Sequence, residues 1–250
     1  MRTDRQGEQQ PVRGLVAVFV DRDGVINDQT AFVNKPDDFR LLPGAAAAIR
    51  RLNEAKIPVV VVTNQGGIAL GYLTEDDLAA IHQRMADLLA AEGAHVDAVY
   101  YSPYFPNGTI PRYAKESPDR KPGIGMLERA RDELGIDLPK SFLVGDATTD
   151  ILAGLRAGCT TILVQTGQAG TDGKEVVEPN YTVADLPAAV ELILSQARHR
   201  SLNLEKPSIR RGFSLAARQQ GSSGSQGPNE LNEPNELDEP RATGYKPPAH

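Results

Sequence analysis

Two acidic residues near the N-terminus have types and a spacing that phosphoryl transfer could use, although Asp-x-Asp-Gly taken alone is more typical of a turn. Asp21 and Asp23 are separated by one residue and follow an apolar run, in the string Asp-Arg-Asp-Gly-Val-Ile-Asn. One carboxylate can act as a covalent nucleophile, and a second can protonate the leaving alkoxide and later activate water. Two like charges ~4 Å apart repel by about 4 kcal/mol even at an effective dielectric constant of about 20, so a phosphate facing this pair requires a divalent cation. Carboxylate ligands without Cys or His favour Mg²⁺.

A second segment offers groups that suit a phosphate. Thr63, Asn64 and Gln65 follow another apolar run and precede Gly66 and Gly67. The glycines allow backbone N–H groups to approach an anion, and the Thr hydroxyl donates a further hydrogen bond. Taken alone, the segment is equally typical of a polar glycine turn after a strand.

Two later segments add a cation and further acids. Arg120 and Lys121 precede Pro122, which predicts a helix start where a cation and free N–H groups can bind an anion. Asp146 and Asp150 follow the next apolar run, in the string Gly-Asp-Ala-Thr-Thr-Asp. An exposed basic pair and an acidic helix N-cap are the ordinary alternatives for these two segments.

The elements that must position these residues form an α/β pattern. Short β-branched runs alternate with helical patterns, which predicts a central parallel sheet flanked by helices. The predicted strands cover residues 15–20, 58–62, 96–101, 141–144 and 160–164. All four polar segments then fall at the carboxyl ends of strands or at adjacent helix starts, where open α/β sheets bind ligands.

The helices of this pattern have recognisable ends. The clearest begins at Thr74, with Asp77 in the capping-box position, and stops at Gly93. A second helix has Pro122 in its first turn and ends at Gly135. Two more cover about residues 148–157 and the segment that follows residue 185.

The order of the four segments resembles the sequence motifs of the haloacid dehalogenase (HAD) superfamily of phosphatases. The match covers about residues 16–164, and its longer strings, including Val-Val-Val-Thr-Asn-Gln-Gly-Gly-Ile-Ala and Arg-Lys-Pro, resemble the group that contains the heptose 1,7-bisphosphate and histidinol-phosphate phosphatases. The segment 63–74 and the string Ala-Phe-Val at 31–33 are nearer to the heptose branch. The resemblance implies a Rossmann-like HAD fold and Mg²⁺-dependent hydrolysis of a phosphomonoester through an aspartyl-phosphate, on a small phosphorylated metabolite such as a sugar phosphate.

The resemblance also implies a role for each candidate residue. Asp21 is the nucleophile and a metal ligand, and Asp23 is the general acid and base, with its carbonyl oxygen on the metal. Asp146 is the second carboxylate ligand, and Asp150 supports the site. Thr63 and Lys121 are implied to bind the transferring phosphoryl group. The residues expected to bind the rest of the substrate are Asn64, Gln65, Arg120, Gln29 and Phe32.

One loop departs from the family pattern. Members of the group usually carry a zinc loop, Cys-x-His followed by Cys-x-Cys, just before Arg-Lys-Pro. The corresponding positions here are Ser102, Tyr104, Ser117 and Asp119, which leave at most one plausible ligand where a structural zinc needs four. We therefore expect no zinc, and prolines and tyrosines in the loop are expected to stiffen it instead.

Composition limits the remaining possibilities. The net charge of −6 argues against a nucleic-acid-binding surface, and no apolar stretch approaches a membrane span or a secretory signal. Cys159 is the single cysteine, so disulfides and thiolate clusters are excluded. We expect a flexible leader over 1–13, a phosphatase domain over 14–199 without a separate cap domain, and a disordered low-complexity tail over 200–250. A cytoplasmic monomer is the corresponding expectation.

Other classes of function stay open at this point. A receiver domain also accepts phosphate on aspartate with acids, a Thr and a Lys, although the Asp-x-Asp spacing and the second acid cluster argue against it. An idle phosphatase fold that only binds, and a nucleic-acid end phosphatase, are further alternatives. Among the phosphatases, histidinol phosphate is the second candidate substrate.

Overall fold

Six parallel strands form the central sheet of the protein. The computed structural model describes residues 14–29 and 33–204. The strands are β1 (Val18–Val20), β2 (Val59–Asn64), β3 (Ala98–Ser102), β4 (Phe142–Gly145), β5 (Thr160–Val164) and β6 (Tyr181–Val183). Their order in the sheet is β3-β2-β1-β4-β5-β6, so β1 lies at the centre, between β2 and β4.

Five α-helices cover the two faces of this sheet. They are α1 (Ala45–Glu54), α2 (Glu75–Ala91), α3 (Gly125–Leu134), α4 (Thr148–Ala157) and α5 (Leu186–Leu204). Val18 and Val20 of β1 pack into the hydrophobic cluster that includes α1, α2 and α5, while Phe19 packs on the opposite face with α3 and α4. This alternation buries the strand on both sides, which explains its continuously apolar sequence. The protein thus has the Rossmann-like α/β architecture.

Several predicted elements are confirmed at their ends. Thr74 caps α2 through a capping box, in which its hydroxyl accepts from Asp77 N at 3.1 Å and Asp77 Oδ2 accepts from Thr74 N at 2.8 Å. α4 ends where predicted, at a left-handed Gly158. α5 begins directly after residue 185 and extends to Leu204, past the predicted domain boundary.

Other elements differ from their prediction. β1 is shorter than the predicted strand, and Leu15 contributes only an isolated bridge to Ile136. The prediction that Pro122 lies in the first turn of a helix is wrong, because α3 begins at Gly125, whose N–H donates to Pro118 O at 2.8 Å in a tight turn. The sequence analysis also missed α1 and β6; β6 is an edge strand that is mostly exposed and so lacks an apolar signature.

The described segments between the strands of the sheet are helices and loops that form no additional domain. Within the described ranges, no separate cap domain stands between Asn27 and Thr63 or between Gly66 and Lys121. None of the described helices is long and apolar enough to cross a membrane. The leader over 1–13 and most of the tail predicted over 200–250 lie outside the described residues, so the proposed division of the chain stays a prediction.

Candidate active site

The four polar segments meet at the carboxyl edge of the sheet. β1, β2 and β4 end next to one another there, and Asp21 N donates to Val144 O at 2.9 Å, which fixes the start of the first motif against β4. A cavity of about 700 Å³ opens at this edge. The predicted site residues that line it are Asp21, Asp23, Gln29, Thr63, Asn64, Gln65, Arg120, Lys121, Asp146 and Asp150. Phe32 lies outside the described residues.

The ammonium group of Lys121 lies at the base of this cavity. Its Nζ is 2.9 Å from Asp21 Oδ1 and 2.5 Å from Asp150 Oδ1, and it donates to Val62 O at 2.7 Å. Lys121 is only 3% exposed. Burial disfavours its charge, but Asp150 and Asp21 outweigh this and raise the pKa of Lys121 above its ordinary value. The site therefore contains a permanent buried cation.

Asn64 determines where Lys121 lies. Its Oδ1 accepts from Lys121 N and its Nδ2 donates to Lys121 O, both at 3.0 Å. This pair of hydrogen bonds ties the end of β2 to a segment 57 residues later in the chain. The side chain of Asn64, which the sequence analysis assigned to substrate binding, also lines the cavity and thus has a positioning contact as well.

Three buried carboxylates cluster at the cavity, and two of them, Asp21 and Asp150, contact this cation. Asp21, Asp146 and Asp150 each offer an oxygen, and these oxygens lie within 4.8 Å of one another. Burial, chiefly, and the neighbouring carboxylates raise the pKa of Asp21 to about 7 and that of Asp146 to about 8. One lysine is thus too little positive charge for the cluster. The oxygen donors and the uncompensated negative charge fit a hard divalent cation such as Mg²⁺.

The carboxylate of Asp146 is closely enclosed by backbone. Its Oδ2 accepts from Gln168 N at 2.7 Å, and a Cβ on either Gly24 or Gly167 would collide with this same oxygen. Both glycines also have positive φ angles, of 79° and 59°. A glycine is therefore required at position 24 for two reasons: the positive φ angle of its own turn, and the space that the Asp146 carboxylate occupies.

Asp23 is held by Arg22 and Asn27, which the sequence analysis did not assign to the site, and by Gln65, which it assigned to substrate binding. Arg22 Nη2 lies 2.8 Å from both of its carboxylate oxygens, and Asn27 Nδ2 donates to Oδ1 at 3.0 Å. Gln65 Nε2 donates to Oδ2 at 2.8 Å and also to Thr63 Oγ1 at 2.9 Å. Burial raises the pKa of Asp23, but the charge and hydrogen bonds of Arg22 outweigh it and the net pKa is lowered. Asp23 is therefore ionised in this conformation.

Arg22 is fully buried and has a second neighbour. Its side chain is 1% exposed, and its Nη1 lies 3.3 Å from His82 Nε2 on α2. Burial lowers the pKa of His82 to about 4, so the imidazole is neutral and can accept this hydrogen bond. No local pattern predicts this contact, since 60 residues separate the two side chains in the chain.

The loop between β3 and α3 has neither the family's zinc ligands nor a clustered substitute. Ser102 is buried at the end of β3, and Ser117 Oγ accepts from Asp119 N at 3.2 Å. The carboxylate oxygen Oδ2 of Asp119 lies 3.7 Å from Arg129 Nη2. Within the described residues, the one group of three or more clustered acidic, His or Cys side chains is the aspartate cluster at the cavity.

Aromatic contacts connect the two arms of this loop. The rings of Tyr104 and Tyr113 meet edge to face with centroids 6.2 Å apart, and Lys115 Nζ lies 4.8 Å from the Tyr104 ring. The guanidinium of Arg120 lies 5.0 Å from the Phe105 ring and donates to Tyr104 O at 3.0 Å. Phe105 and Arg120 of this loop line the cavity.

Comparisons with known proteins find relatives of this chain among the phosphatases. A HAD-hydrolase-like family model matches residues 119–189. The D-glycero-D-manno-heptose-1,7-bisphosphate 7-phosphatase of Thermosynechococcus vestitus is 41% identical over 196 residues, which span 74% of this chain and 98% of that protein. The corresponding phosphatase of Escherichia coli K12 is 37% identical over 182 residues, which span 72% of this chain and 95% of the relative.

Solved structures lead to the same family. The D,D-heptose 1,7-bisphosphate phosphatase of B. bronchiseptica, crystallised with magnesium and phosphate, has a TM-score of 0.66 and 36% identity, covering 73% of this chain and 99% of its own. The corresponding enzyme of Burkholderia thailandensis has a TM-score of 0.54 and 32% identity, covering 72% and 99%. The chain therefore belongs to the HAD superfamily of phosphatases, in the family of the heptose 1,7-bisphosphate 7-phosphatases.

Proposed function

We propose that the protein removes the 7-phosphate of D-glycero-D-manno-heptose 1,7-bisphosphate, with Asp21 as nucleophile. The observation that carries the proposal is the Lys121 ammonium 2.9 Å from Asp21 Oδ1, inside the cavity and beside two further buried carboxylates. The names of the relatives supply the substrate, because the sequence and the cavity alone are compatible with several phosphomonoesters.

Asp21 attacks the phosphorus atom and forms an aspartyl-phosphate. Lys121 binds the phosphoryl oxygens, and its fixed position between two carboxylates means that little reorganisation is needed during transfer. The Thr63 hydroxyl provides a further contact from the end of β2. Water then attacks the aspartyl-phosphate, which releases inorganic phosphate and restores the Asp21 carboxylate.

Asp23 moves the proton in both steps. It protonates the leaving sugar alkoxide first and removes a proton from the attacking water second. Because Arg22 keeps the carboxylate ionised in the present conformation, protonation of Asp23 requires this contact to loosen. Gln65 connects Asp23 to Thr63 and thus couples the acid to the phosphate-binding hydroxyl.

Asp21, Asp146 and the carbonyl oxygen of Asp23 would hold Mg²⁺, with Asp150 as a supporting acid paired to Lys121. When bound, the ion neutralises charge between the carboxylates and the phosphate. Arg120, Asn64 and Gln29 line the cavity and are proposed to contact the substrate beyond its reacting phosphate, together with Phe32. A cytoplasmic monomer that acts on a small sugar phosphate, without nucleic acid, a membrane or zinc, remains our prediction from the sequence.

The test is phosphate release from heptose 1,7-bisphosphate, histidinol phosphate and a panel of sugar and nucleoside phosphates. We expect Mg²⁺-dependent release from the heptose compound, abolished by EDTA and reduced at least about a thousandfold by Asp21→Asn. A higher kcat/KM for histidinol phosphate would make that compound the proposed substrate instead. Stable phosphorylation without turnover would favour a receiver, and phosphate binding with no hydrolysis would favour an idle binding protein.

A further inference from the structure

A lysine outside the four motifs lines the same cavity. Lys174 belongs to the loop between β5 and β6, and its side chain is 54% exposed. The family motifs do not include it, and the sequence around it, Thr-Asp-Gly-Lys-Glu, is typical of a surface turn. Its role therefore has to be argued from its position in the fold.

Hydrogen bonds fix the segment that carries Lys174 to the start of α4. Asp172 Oδ1 accepts from Thr148 N at 2.8 Å, and Glu175 N donates to Thr148 Oγ1 at 3.1 Å. Earlier in the loop, Gly170 N donates to Asp146 O at 2.7 Å. The loop is thus attached to the same short segment that carries Asp146, and Lys174 is held beside the catalytic cluster.

Asp172 also acts on Lys174 electrostatically. The Asp172 side chain is 1% exposed, and its Oδ2 is buried without a hydrogen-bond partner. Lys174 Nζ lies 3.7 Å from this oxygen. That distance is too long for a hydrogen bond but close enough for attraction, so the ammonium is held near the cavity while its N–H donors can turn toward an incoming anion.

The cavity has a cation on each side of Asp21. Arg120 lies on the side of β2 and β3, where its guanidinium is bonded to Tyr104 O and lies over the Phe105 ring. Lys174 lies on the side of β4 and β5, because its loop follows β5 and is attached to α4. Since Lys121 is committed to the reacting phosphate, and Arg120 has two protein contacts, Lys174 is the more available donor for a second anion.

We propose that Lys174 binds the phosphate of a sugar bisphosphate that is not hydrolysed, and so determines preference for a bisphosphate over a monophosphate. The inference rests on the proposed function and deepens it. A second phosphate brings additional negative charge to a site that already contains three buried aspartates, so a further cation at the cavity wall is needed. A lysine ammonium on a flexible stem suits such a phosphate as a point charge.

The test compares heptose 1,7-bisphosphate with heptose 7-phosphate, which lacks only the 1-phosphate. The readout is the ratio of kcat/KM for the two substrates in wild type and in the variants Lys174→Ala, Lys174→Arg, Asp172→Asn and Lys140→Ala. Lys140 is the matched control, since it is also an exposed lysine paired with an aspartate, Asp137, but lies before β4 at the opposite edge of the sheet.

We expect Lys174→Ala to lower the ratio about tenfold or more, through KM for the bisphosphate, as loss of one charged hydrogen bond predicts. Lys174→Arg keeps the charge and should retain most of the ratio, Asp172→Asn should lower it in the same direction, and Lys140→Ala should leave it at the wild-type value. Equal losses on both substrates, or an unchanged ratio in Lys174→Ala, would overturn the inference while the proposed function stands. If wild type hydrolyses neither heptose compound, the proposed function and this inference both fall.

Discussion

The Nζ atom of Lys121 lies 2.9 Å from Asp21 Oδ1, with both side chains almost completely enclosed. The cation that is proposed to bind the phosphoryl group is therefore also the counterion of the proposed nucleophile. Asp150, 2.5 Å from the same ammonium, shares it. Stability and catalysis are coupled at this contact, since removing the ammonium leaves two buried carboxylates without their shared partner.

Replacing this lysine should destabilise the protein as well as inactivate it. We expect Lys121→Met to lower the free energy of unfolding by about 3–5 kcal/mol in EDTA, because it leaves Asp21 and Asp150 buried without their cation. Urea denaturation measures this loss, and added Mg²⁺ should recover part of it. Lys140→Ala serves as the surface control, and an equally stable Lys121→Met protein would contradict the role of the ammonium.

Without metal, stability should fall as the pH rises from about 6.5 to about 8. The folded-state pKa values of Asp21 and Asp146, about 7 and about 8, lie above the ordinary aspartate value. The folded protein therefore holds protons that the unfolded chain has released, and their loss destabilises it. His82, whose pKa is lowered to about 4, has the opposite effect, but only below about pH 6.5.

The measurement is thermal unfolding in EDTA at several pH values within that window. Saturating Mg²⁺ should reduce the slope, because binding requires the ionised carboxylates. Asp146→Asn should reduce the slope in EDTA too. A melting temperature that is constant or rises between pH 6.5 and 8 without metal would argue against an excess of negative charge among the three buried aspartates.

Two matched substitutions, Gly24→Ala and Gly158→Ala, separate the effect of a collision with the Asp146 carboxylate from the effect of backbone strain alone. Gly24 and Gly158 both have a φ of 79°, but a Cβ on Gly24 would collide with Asp146 Oδ2, whereas a Cβ on Gly158 would lie 3.7 Å from Pro139 Cγ, an ordinary van der Waals contact. Both alanine variants carry a strain of about 1–2 kcal/mol. We expect Gly24→Ala alone to raise the Mg²⁺ concentration needed for half-maximal activity and to lower kcat/KM by about a hundredfold. Similar activity in the two variants would show that the collision is relieved elsewhere.

The loop between β3 and α3 should keep its structure without zinc. Elemental analysis of the purified protein should find much less than one zinc per chain, and a zinc-selective chelator should leave the melting temperature unchanged. Tyr104→Leu should cost about 1 kcal/mol of stability, since it removes the edge-to-face contact with Tyr113 and the ring beneath Lys115. Stoichiometric zinc, or unfolding by the chelator, would contradict this account.

Local sequence signals were sufficient for much of the fold. The apolar and β-branched runs predicted five of the strands, most clearly where a strand such as β1 or β4 is buried on both faces and is therefore apolar throughout. The capping box at Thr74 predicted the start of α2 for a similarly local reason, since its two hydrogen bonds join residues three positions apart. β6 escaped detection because its side chains are mostly exposed, and α3 begins late because a turn that depends on Pro118 O precedes it.

The sequence by itself determined which chemical groups are available, their order along the chain, and their location at the carboxyl ends of parallel strands. Only the tertiary structure decided their pairing: Asn64 with the backbone of Lys121, Arg22 with His82, and Gly24 with the carboxylate of Asp146. It also brought Lys174 to the cavity through the attachment of its loop to α4. These contacts join residues far apart in the chain, and their distances depend on the parallel register of the sheet and the packing of helices against it, which no local pattern encodes.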